Sequence, residues 1–200
     1  PLLAIMNPIR GCGPGLKILP TRGPVLVLAN HAAWFDPLWV AKLVPLRMRP
    51  LMTSRFFDLP IIAFLMRRVF HAIRVPETGF RREAPEIADA IAALDRGESV
   101  LIFPEGWLRR KEELPLKRFG QGIYQILREK PQTPVIVCWI EGSWGSYVSH
   151  KGGAPTKNKR PDLFHVIRIG ICEPQVLSLE MLHDHRATRS HLMHECVRAR

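Results

Sequence analysis

The sequence predicts an α/β domain in which helices cover both faces of a layered, mostly parallel or mixed central sheet. Short apolar runs bounded by turn residues alternate along the chain with segments whose apolar residues recur at helical spacing. This alternation is typical of sheets that are buried on both faces. The 200 residues, 46% of them hydrophobic, are enough for one core of this kind.

Apolar runs between turn residues mark the predicted strands. Gly23-Pro24 precedes the first run, and Pro104-Glu105-Gly106 breaks a later one. The predicted strands cover residues 25–29, 51–53, 73–75, 99–103, 135–140 and 164–172. Functional groups of such sheets gather where strands end and the chain turns, so we expect the site at the ends of these runs.

The clearest predicted helix lies between Pro85 and Gly97, where residues 87, 90, 91 and 94 share one face. A shorter helix over residues 37–44 has Asp36 as its predicted N-cap and Pro37 in the first position. Other helices are predicted over residues 59–70, 120–128 and 177–200, with a polar loop over 145–162.

The segment 59–70 is apolar almost all round and ends near Arg67-Arg68. It is too short to span a bilayer, which requires roughly 20 apolar residues. Two interpretations stay open. One is a helix at a membrane interface whose arginines reach anionic head groups, and the other is a buried core helix.

A formal net charge of +11 and a pI of about 10.2 indicate a polyanionic partner. Nucleic acid, an anionic bilayer and phosphate-bearing substrates all fit that description. The sequence contains no zinc-finger spacing, RNP-like aromatic pattern or Gly-rich RNA loop, which argues against a nucleic-acid-binding module. The basic residues Lys151, Lys157, Lys159 and Arg160 either add attraction to a membrane or lie on a solvated loop.

The four cysteines, Cys12, Cys138, Cys172 and Cys196, form no C-x-x-C pair. Their spacing argues against a zinc ribbon or a disulfide framework and favours a reducing compartment. Cys138 and Cys172 fall in apolar strands and are expected to be buried thiols. Because no signal peptide begins the chain, residue 1 is Pro and a helix-like segment stops at Arg200, we expect a domain excised from a longer protein.

The segment Asn30-His31-Ala32-Ala33-Trp34-Phe35-Asp36 directly follows the strand at 25–29. A turn would bring the Asp36 carboxylate against the His31 imidazole, and such a pair accepts a proton near neutral pH. No Ser or Cys in this segment supplies a nucleophile, so the base would activate a substrate hydroxyl directly. The alternative is structural: Asp-Pro caps a helix, and the His is an ordinary hydrogen-bonding residue.

Phe103-Pro104-Glu105-Gly106 ends another strand, where Glu105 places a charge at the strand tip and Gly106 permits close approach of a ligand. Alone, the same residues fit a simple strand-to-loop exit. Basic residues near these turns are candidate phosphate ligands, although most are expected to be solvated surface. They are Arg55, Arg74, Arg81, Arg82, Arg109, Arg110, Lys111, Lys117 and Arg118.

Together these segments resemble the glycerolipid acyltransferase family, which includes bacterial 1-acylglycerol-3-phosphate acyltransferase. That family carries an N-H-x4-D block after a strand, an F-P-E-G block after a later strand and a V-P-V-x-I-x-G-like block beyond it. The corresponding residues are Asn30-His31 with Asp36, residues 103–106 and residues 134–142, with Gly23-Pro24-Val25 as the usual lead-in. The resemblance covers about residues 20–145, and H-x4-D followed at this distance by F-P-E-G is a specific combination.

The resemblance implies an O-acyltransferase that moves a fatty acyl group to the free hydroxyl of a lysophospholipid such as 1-acylglycerol-3-phosphate. His31 would deprotonate that hydroxyl, which attacks the thioester of acyl-CoA or acyl-carrier protein, while Asp36 orients the imidazole. Asn30, Glu105 and Gly106 are implied in binding the acceptor. No metal or redox cofactor is implied.

The same resemblance implies one acyltransferase domain over residues 1–200, taken from a longer membrane-associated protein. Its partners would be the lysophospholipid acceptor, the acyl donor and an anionic membrane surface, with no nucleic acid. Its place would be the cytoplasmic side of the inner or plasma membrane, either peripheral or anchored by segments outside this chain. A non-catalytic lipid-binding relative is the alternative.

The chain departs from the family where an Arg is thought to grip the acceptor phosphate. The most natural alignment puts His71 where the family has Gly and Glu77 where it has Arg. Arg74 offers the charge, but two residues along a strand displace it by about 6.6 Å. After F-P-E-G the family often continues Thr-Arg, whereas Trp107-Leu108-Arg109 follows here. Arg74 and Arg109 are therefore both candidate phosphate ligands.

Overall fold

A sheet of seven strands organises the residues that the computed structural model describes, which are 7–58, 60–76, 84–162 and 164–200. The strands are β1 (Ile9–Cys12), β2 (Leu26–Ala29), β3 (Met48–Thr53), β4 (Ile73–Val75), β5 (Ser99–Ile102), β6 (Val135–Glu141) and β7 (Ile167–Ile171). Their order is β1-β7-β6-β2-β5-β3-β4, and every neighbouring pair is parallel except β6 with β7. The predicted mixed, mostly parallel sheet is confirmed.

Helices cover both faces of this sheet. In chain order they are a 3₁₀ helix (Pro14–Ile18) and the α-helices α1 (Asp36–Leu43), α2 (Ser54–Phe57), α3 (Pro60–Arg68), α4 (Pro85–Asp95), α5 (Gly122–Glu129), α6 (Leu179–Leu182) and α7 (His185–Arg198). Trp39 and Val40 of α1 pack in one apolar cluster with Val27, whereas α4, α5 and α7 pack in another with Leu28. Two apolar clusters therefore enclose the sheet, as the sequence predicts.

The central strands β2, β5 and β6 run side by side and end together. β2 lies between the other two, and Leu28 pairs with Ile102 of β5 and with Val137 of β6. Every residue of β2 and β5 is buried, because the sheet is covered on both faces. The parallel register carries the residues that follow β2, β5 and β6 to the same edge of the sheet, which we call the site edge.

Some local predictions differ from the structure. Helix α1 begins at Asp36 with Phe35 in the N-cap position and no side-chain cap, so the prediction of Asp36 as N-cap is wrong. The single helix predicted over residues 177–200 is two helices, α6 and α7. They are separate because Asp184 caps the start of α7 by accepting a hydrogen bond from the N–H of Arg186. The last strand begins at Ile167, later than predicted.

The described side chains around α3 face two environments. Met66 packs in a small cluster with Phe57, but Phe64 is exposed, and so is Val69 just past the helix. The interpretation of a helix buried all round is therefore wrong. Residue 59, the predicted start, lies outside the described residues. Within the described ranges, no helix combines the length and apolar character needed to cross a bilayer.

The buried thiols predicted for Cys138 and Cys172 are confirmed. Cys196 of α7 is buried beside them, with its Sγ 3.2 Å from the carbonyl oxygen of Cys138. Burial raises the pKa of Cys138 to about 12, and it also raises the pKa of Cys172 and of Cys196. These three thiols therefore stay protonated and unreactive, whereas Cys12 is exposed.

His71, between α3 and β4, has a backbone conformation that favours glycine, with a φ of 46°. It stands where the resemblance expects Gly, and a side chain in this region costs about 1–2 kcal/mol. We predict that His71→Gly raises the free energy of unfolding by about 1 kcal/mol in urea denaturation, since glycine's extra freedom in the unfolded chain offsets part of the gain. His71→Ala removes the same ring but keeps the strain, so equal stabilisation by Ala would contradict this explanation.

Candidate active site

The residues that follow β2 place His31 and Asp36 in direct contact at the site edge. Nδ1 of His31 lies 2.9 Å from Oδ2 of Asp36. The Asp36 side chain is fully buried, whereas 20% of the His31 side chain is exposed. The imidazole is thus held from the interior and remains accessible from solvent.

Backbone donors fix the Asp36 carboxylate. Its Oδ2 also accepts hydrogen bonds from the N–H of Ala32 at 2.7 Å and the N–H of Ala33 at 2.8 Å. An oxygen that accepts two main-chain hydrogen bonds is an acceptor toward the imidazole as well, so Nδ1 of His31 carries the proton and Nε2 presents a lone pair. This is the tautomer that a general base requires.

The F-P-E-G segment meets His31 because β5 is a parallel neighbour of β2. The ring of Phe103 stacks on the imidazole, with centroids 4.2 Å apart and 23° between the planes. Oε1 of Glu105 accepts a hydrogen bond from the N–H of His31 at 2.7 Å, and Oε2 accepts one from the N–H of Lys117 at 2.7 Å. Residues after β5 therefore hold both the ring and the main chain of His31.

Glu105 is a buried carboxylate at the centre of these contacts. Burial raises its pKa from 4.5 to about 7, although the hydrogen bonds from the main chains of Lys117 and His31 lower it. Its two oxygens connect the His31 segment to the loop that carries Lys117. Gly106, next to it, has a φ of 71° and open space where a Cβ would stand. Acceptor binding by Glu105 and Gly106 stays a prediction.

The Asn30 side chain joins the end of β2 to β6. Its Oδ1 accepts a hydrogen bond from the N–H of Ile140 at 2.6 Å, and its Nδ2 donates to the carbonyl of Ile140 at 3.0 Å. The side chain is buried. The observed role of Asn30 is to hold two strand ends together, and its predicted contact with substrate stays a prediction.

Arg109 is the candidate phosphate ligand that the structure brings to His31. Its N–H donates to the carbonyl of His31 at 2.7 Å. Its guanidinium lies 4.4 Å from the centroid of the Trp144 ring and donates to the carbonyls of Lys111 and Glu112. Burial lowers the pKa of Arg109. Sequence reasoning missed Trp144, because no local pattern marks a contact between two loops that are far apart in the chain.

Arg74, the other candidate, lies away from His31. It belongs to the edge strand β4, three positions from β2 in the sheet, or about 14 Å at the usual strand spacing. Its Nε donates to Oδ1 of Asp58 at 3.0 Å, and both side chains are 45% exposed. The structure therefore does not bring Arg74 together with the other predicted site residues. Glu77, Arg81 and Arg82 lie outside the described residues.

The site edge thus combines a proton acceptor, a carboxylate that orients it and a cation. Nε2 of His31 can take a proton from a hydroxyl, and the guanidinium of Arg109 can attract an anionic group attached to the same molecule. In the part of the chain that the structure describes, no three His, Cys, Asp or Glu side chains are placed to hold a metal ion.

Comparisons with known proteins place this chain within one family. Residues 14–141 match the family model described as Acyltransferase, and this range contains His31, Asp36, Glu105 and Arg109. An uncharacterised protein of Mycobacterium leprae is 30% identical over 141 residues, which cover 64% of this chain and 35% of that protein. One from Mycobacterium tuberculosis H37Rv is 30% identical over the same length, with coverage of 64% and 36%. The chain spans about a third of the length of these curated relatives.

A solved structure shares the fold. The crystal structure of the 1-acyl-sn-glycerophosphate (LPA) acyltransferase PlsC from Thermotoga maritima is similar with a TM-score of 0.72 at 17% sequence identity. The similarity covers 96% of this chain and 70% of that chain. Because the family model matches more than half of its residues, the chain belongs to the acyltransferase family.

Proposed function

We propose that this chain transfers a fatty acyl group from acyl-CoA or acyl-carrier protein to the free hydroxyl of a lysophospholipid such as 1-acylglycerol-3-phosphate. The observation that carries the proposal is the pair of His31 and Asp36, in which a buried carboxylate lies 2.9 Å from Nδ1 and leaves Nε2 as the proton acceptor. The Thermotoga maritima protein of similar fold is a 1-acyl-sn-glycerophosphate acyltransferase, so an acceptor of this class is used by a protein built on this architecture.

His31 acts as a general base in this proposal. Its Nε2 takes the proton of the acceptor hydroxyl while the hydroxyl oxygen attacks the thioester carbonyl. The tetrahedral intermediate then collapses, the carbon–sulfur bond breaks, and the imidazolium returns its proton to the leaving thiolate. Asp36 accepts the Nδ1–H throughout and stabilises the imidazolium. All proton transfers pass through one ring, so the proposed reaction uses no metal or redox cofactor.

Arg109 is the proposed contact for the acceptor phosphate. Its main chain is hydrogen-bonded to that of His31 at the site edge, and its guanidinium lies over the Trp144 ring. Arg74 is engaged with Asp58 on an edge strand. Gly106 leaves room for the acceptor, and Glu105 and Asn30 shape the site by holding the main chains around it.

We also propose a position on the cytoplasmic side of an anionic inner or plasma membrane, either peripheral or anchored by segments outside this chain. The exposed Phe64 and Val69 lie beside Arg67 and Arg68, which are exposed as well. Apolar side chains next to cations are typical of helices that lie at a membrane interface.

The test is to incubate the protein with acyl-CoA and with acyl-carrier protein against a panel of lysolipids and to identify products by mass spectrometry. We expect an acylated product from at least one lysophospholipid and none from the His31→Ala variant. Vesicle binding without product from any acceptor would identify a non-catalytic lipid-binding relative instead.

A further inference from the structure

The loop over residues 107–118, between β5 and α5, combines exposed apolar side chains with cations. Trp107 is 59% exposed and Leu114 is 49% exposed. The same loop carries five basic residues and two acidic ones. The basic residues are Arg109, Arg110, Lys111, Lys117 and Arg118. We call this segment the 107–118 loop.

Both ends of the 107–118 loop are fastened beside His31. Near its start, the N–H of Arg109 donates to the carbonyl of His31 at 2.7 Å. Near its end, the N–H of Lys117 donates to Glu105, whose other oxygen accepts from the N–H of His31. The stretch between these two points therefore lies at the site edge near the proposed base, with Leu114 exposed and Leu116 packed against the core.

A second basic segment, residues 150–160, lies against this loop. Nζ of Lys151 is 3.1 Å from Oε1 of Glu112, and Ser149 pairs with Ala33, two residues after His31. The two segments together hold nine of the chain's 29 Lys and Arg residues but only two of its 18 Asp and Glu residues. The two segments beside the site are therefore strongly positive, and Trp107 and Leu114 are exposed among these charges.

We propose that the 107–118 loop is a docking surface for an anionic lipid bilayer. Trp107 and Leu114 enter the head-group region, and the cations around them meet lipid phosphates. This docking would place His31 where a lysolipid can present its hydroxyl while its acyl chain stays in the bilayer, an advantage that rests on the function proposed above.

The apolar side chains favour a bilayer over an acidic protein as the occupant. An acidic carrier protein would pair with the cations through its carboxylates, which explains the charge but gives no reason for a half-exposed Trp and Leu among them. A lipid bilayer explains both the cations and the exposed apolar side chains. The cations contact the lipid phosphates, and the apolar side chains enter the layer below them.

The binding test compares two double variants on vesicles of pure phosphatidylcholine and of an equal mixture of phosphatidylcholine and phosphatidylglycerol. Trp107→Ser with Leu114→Ser removes the proposed contact. Ile18→Ser with Val176→Ser is the matched control. These two residues are 54% and 49% exposed, and they lie near the start of β6, at the end of the central strands opposite the site edge. In co-sedimentation we expect the first variant to bind the mixed vesicles at least about tenfold more weakly than wild type, and the control to bind like wild type.

A second pair of variants tests the charges without touching the apolar residues. Lys111→Gln and Arg118→Gln should each weaken binding to the mixed vesicles by about fivefold, with little effect on pure phosphatidylcholine. Equal vesicle binding by wild type and the Trp107→Ser, Leu114→Ser variant would overturn the proposal.

An activity measurement separates this proposal from the proposed function. Leu114→Ser should lower acyl transfer to a lysolipid in mixed vesicles but leave transfer to a monomeric short-chain lysolipid unchanged. If wild type acylates no acceptor yet vesicle binding depends on Trp107 and Leu114, the proposed function fails and the docking surface stands. If the apolar variant binds vesicles normally and loses only transfer from acyl-carrier protein, the loop binds the donor and the bilayer proposal is wrong.

Discussion

Replacing His31 by Ala is expected to lower kcat/KM for acyl transfer by about 10³- to 10⁴-fold, the contribution of a well-positioned general base. Alanine leaves no group at the place of Nε2 to accept the hydroxyl proton. We do not expect Glu105 to replace it, because Glu105 is buried and its oxygens accept hydrogen bonds from the main-chain N–H groups of His31 and Lys117. Product formation from the best donor and acceptor, followed by mass spectrometry, measures the loss.

The fold of the variant should be close to that of wild type. The His31 ring is partly exposed and its loss removes only one face of the stack with Phe103, so we expect similar far-UV circular dichroism and a small change in Tm. His183→Ala is the matched control, since His183 is an exposed histidine at the end of α6. A folded His31→Ala protein with wild-type activity would remove the proposed mechanism.

Two substitutions of Asp36 separate its charge from its hydrogen bonds. In Asp36→Asn the amide oxygen can still accept from Ala32, Ala33 and the Nδ1–H of His31, so the tautomer is kept and only the charge is lost. We expect a loss of about 10²- to 10³-fold, because the imidazolium loses a few kcal/mol of stabilisation. Asp36→Ala should approach His31→Ala in activity and also be less stable, since two buried N–H groups lose their acceptor.

Strands that are marked by their own apolar sequence could be predicted, whereas a strand formed only by pairing with a distant segment could not. β2 and β5 are buried apolar runs between turn residues, so their pattern alone indicates them. β1 has the sequence Ile9-Arg10-Gly11-Cys12, in which half-buried and exposed residues alternate. It is a strand because it pairs with β7, with Ile9 beside Ile167, and no pattern within four residues encodes a partner at the other end of the chain.

The same distinction applies to the site. His31 and Asp36 lie within one turn, so their spacing alone predicts that they can meet. The choice between Arg74 and Arg109 depends on strand order, because β4 directly precedes β5 in the chain but lies two positions from it in the sheet. The family resemblance implies His31 and Asp36 as the catalytic pair but leaves the phosphate ligand open for this reason.

We expect the titration of Glu105 to change the free energy of unfolding by about 3 kcal/mol between acid and alkaline pH, and Glu105→Gln to abolish this change. Burial raises the pKa of Glu105 from 4.5 to about 7 in the folded protein. Between these two values the folded state holds a proton that the unfolded state has released. The contribution of Glu105 to stability is therefore fully present below about pH 4.5 and is lost as the pH rises through about 7.

Urea denaturation of both proteins at about pH 5 and about pH 8 measures this effect. Other titrating groups are common to wild type and variant, so they cancel when the two changes in unfolding free energy are subtracted. Between about pH 5 and about pH 8 the unfolding free energy of wild type should fall by most of about 3 kcal/mol more than that of Glu105→Gln. Equal changes in the two proteins would show that burial does not raise the pKa of this carboxyl. At neutral pH the ionised carboxylate lowers stability while its oxygens hold the main chains of His31 and Lys117. The chain thus gives up folding free energy to position the proposed base.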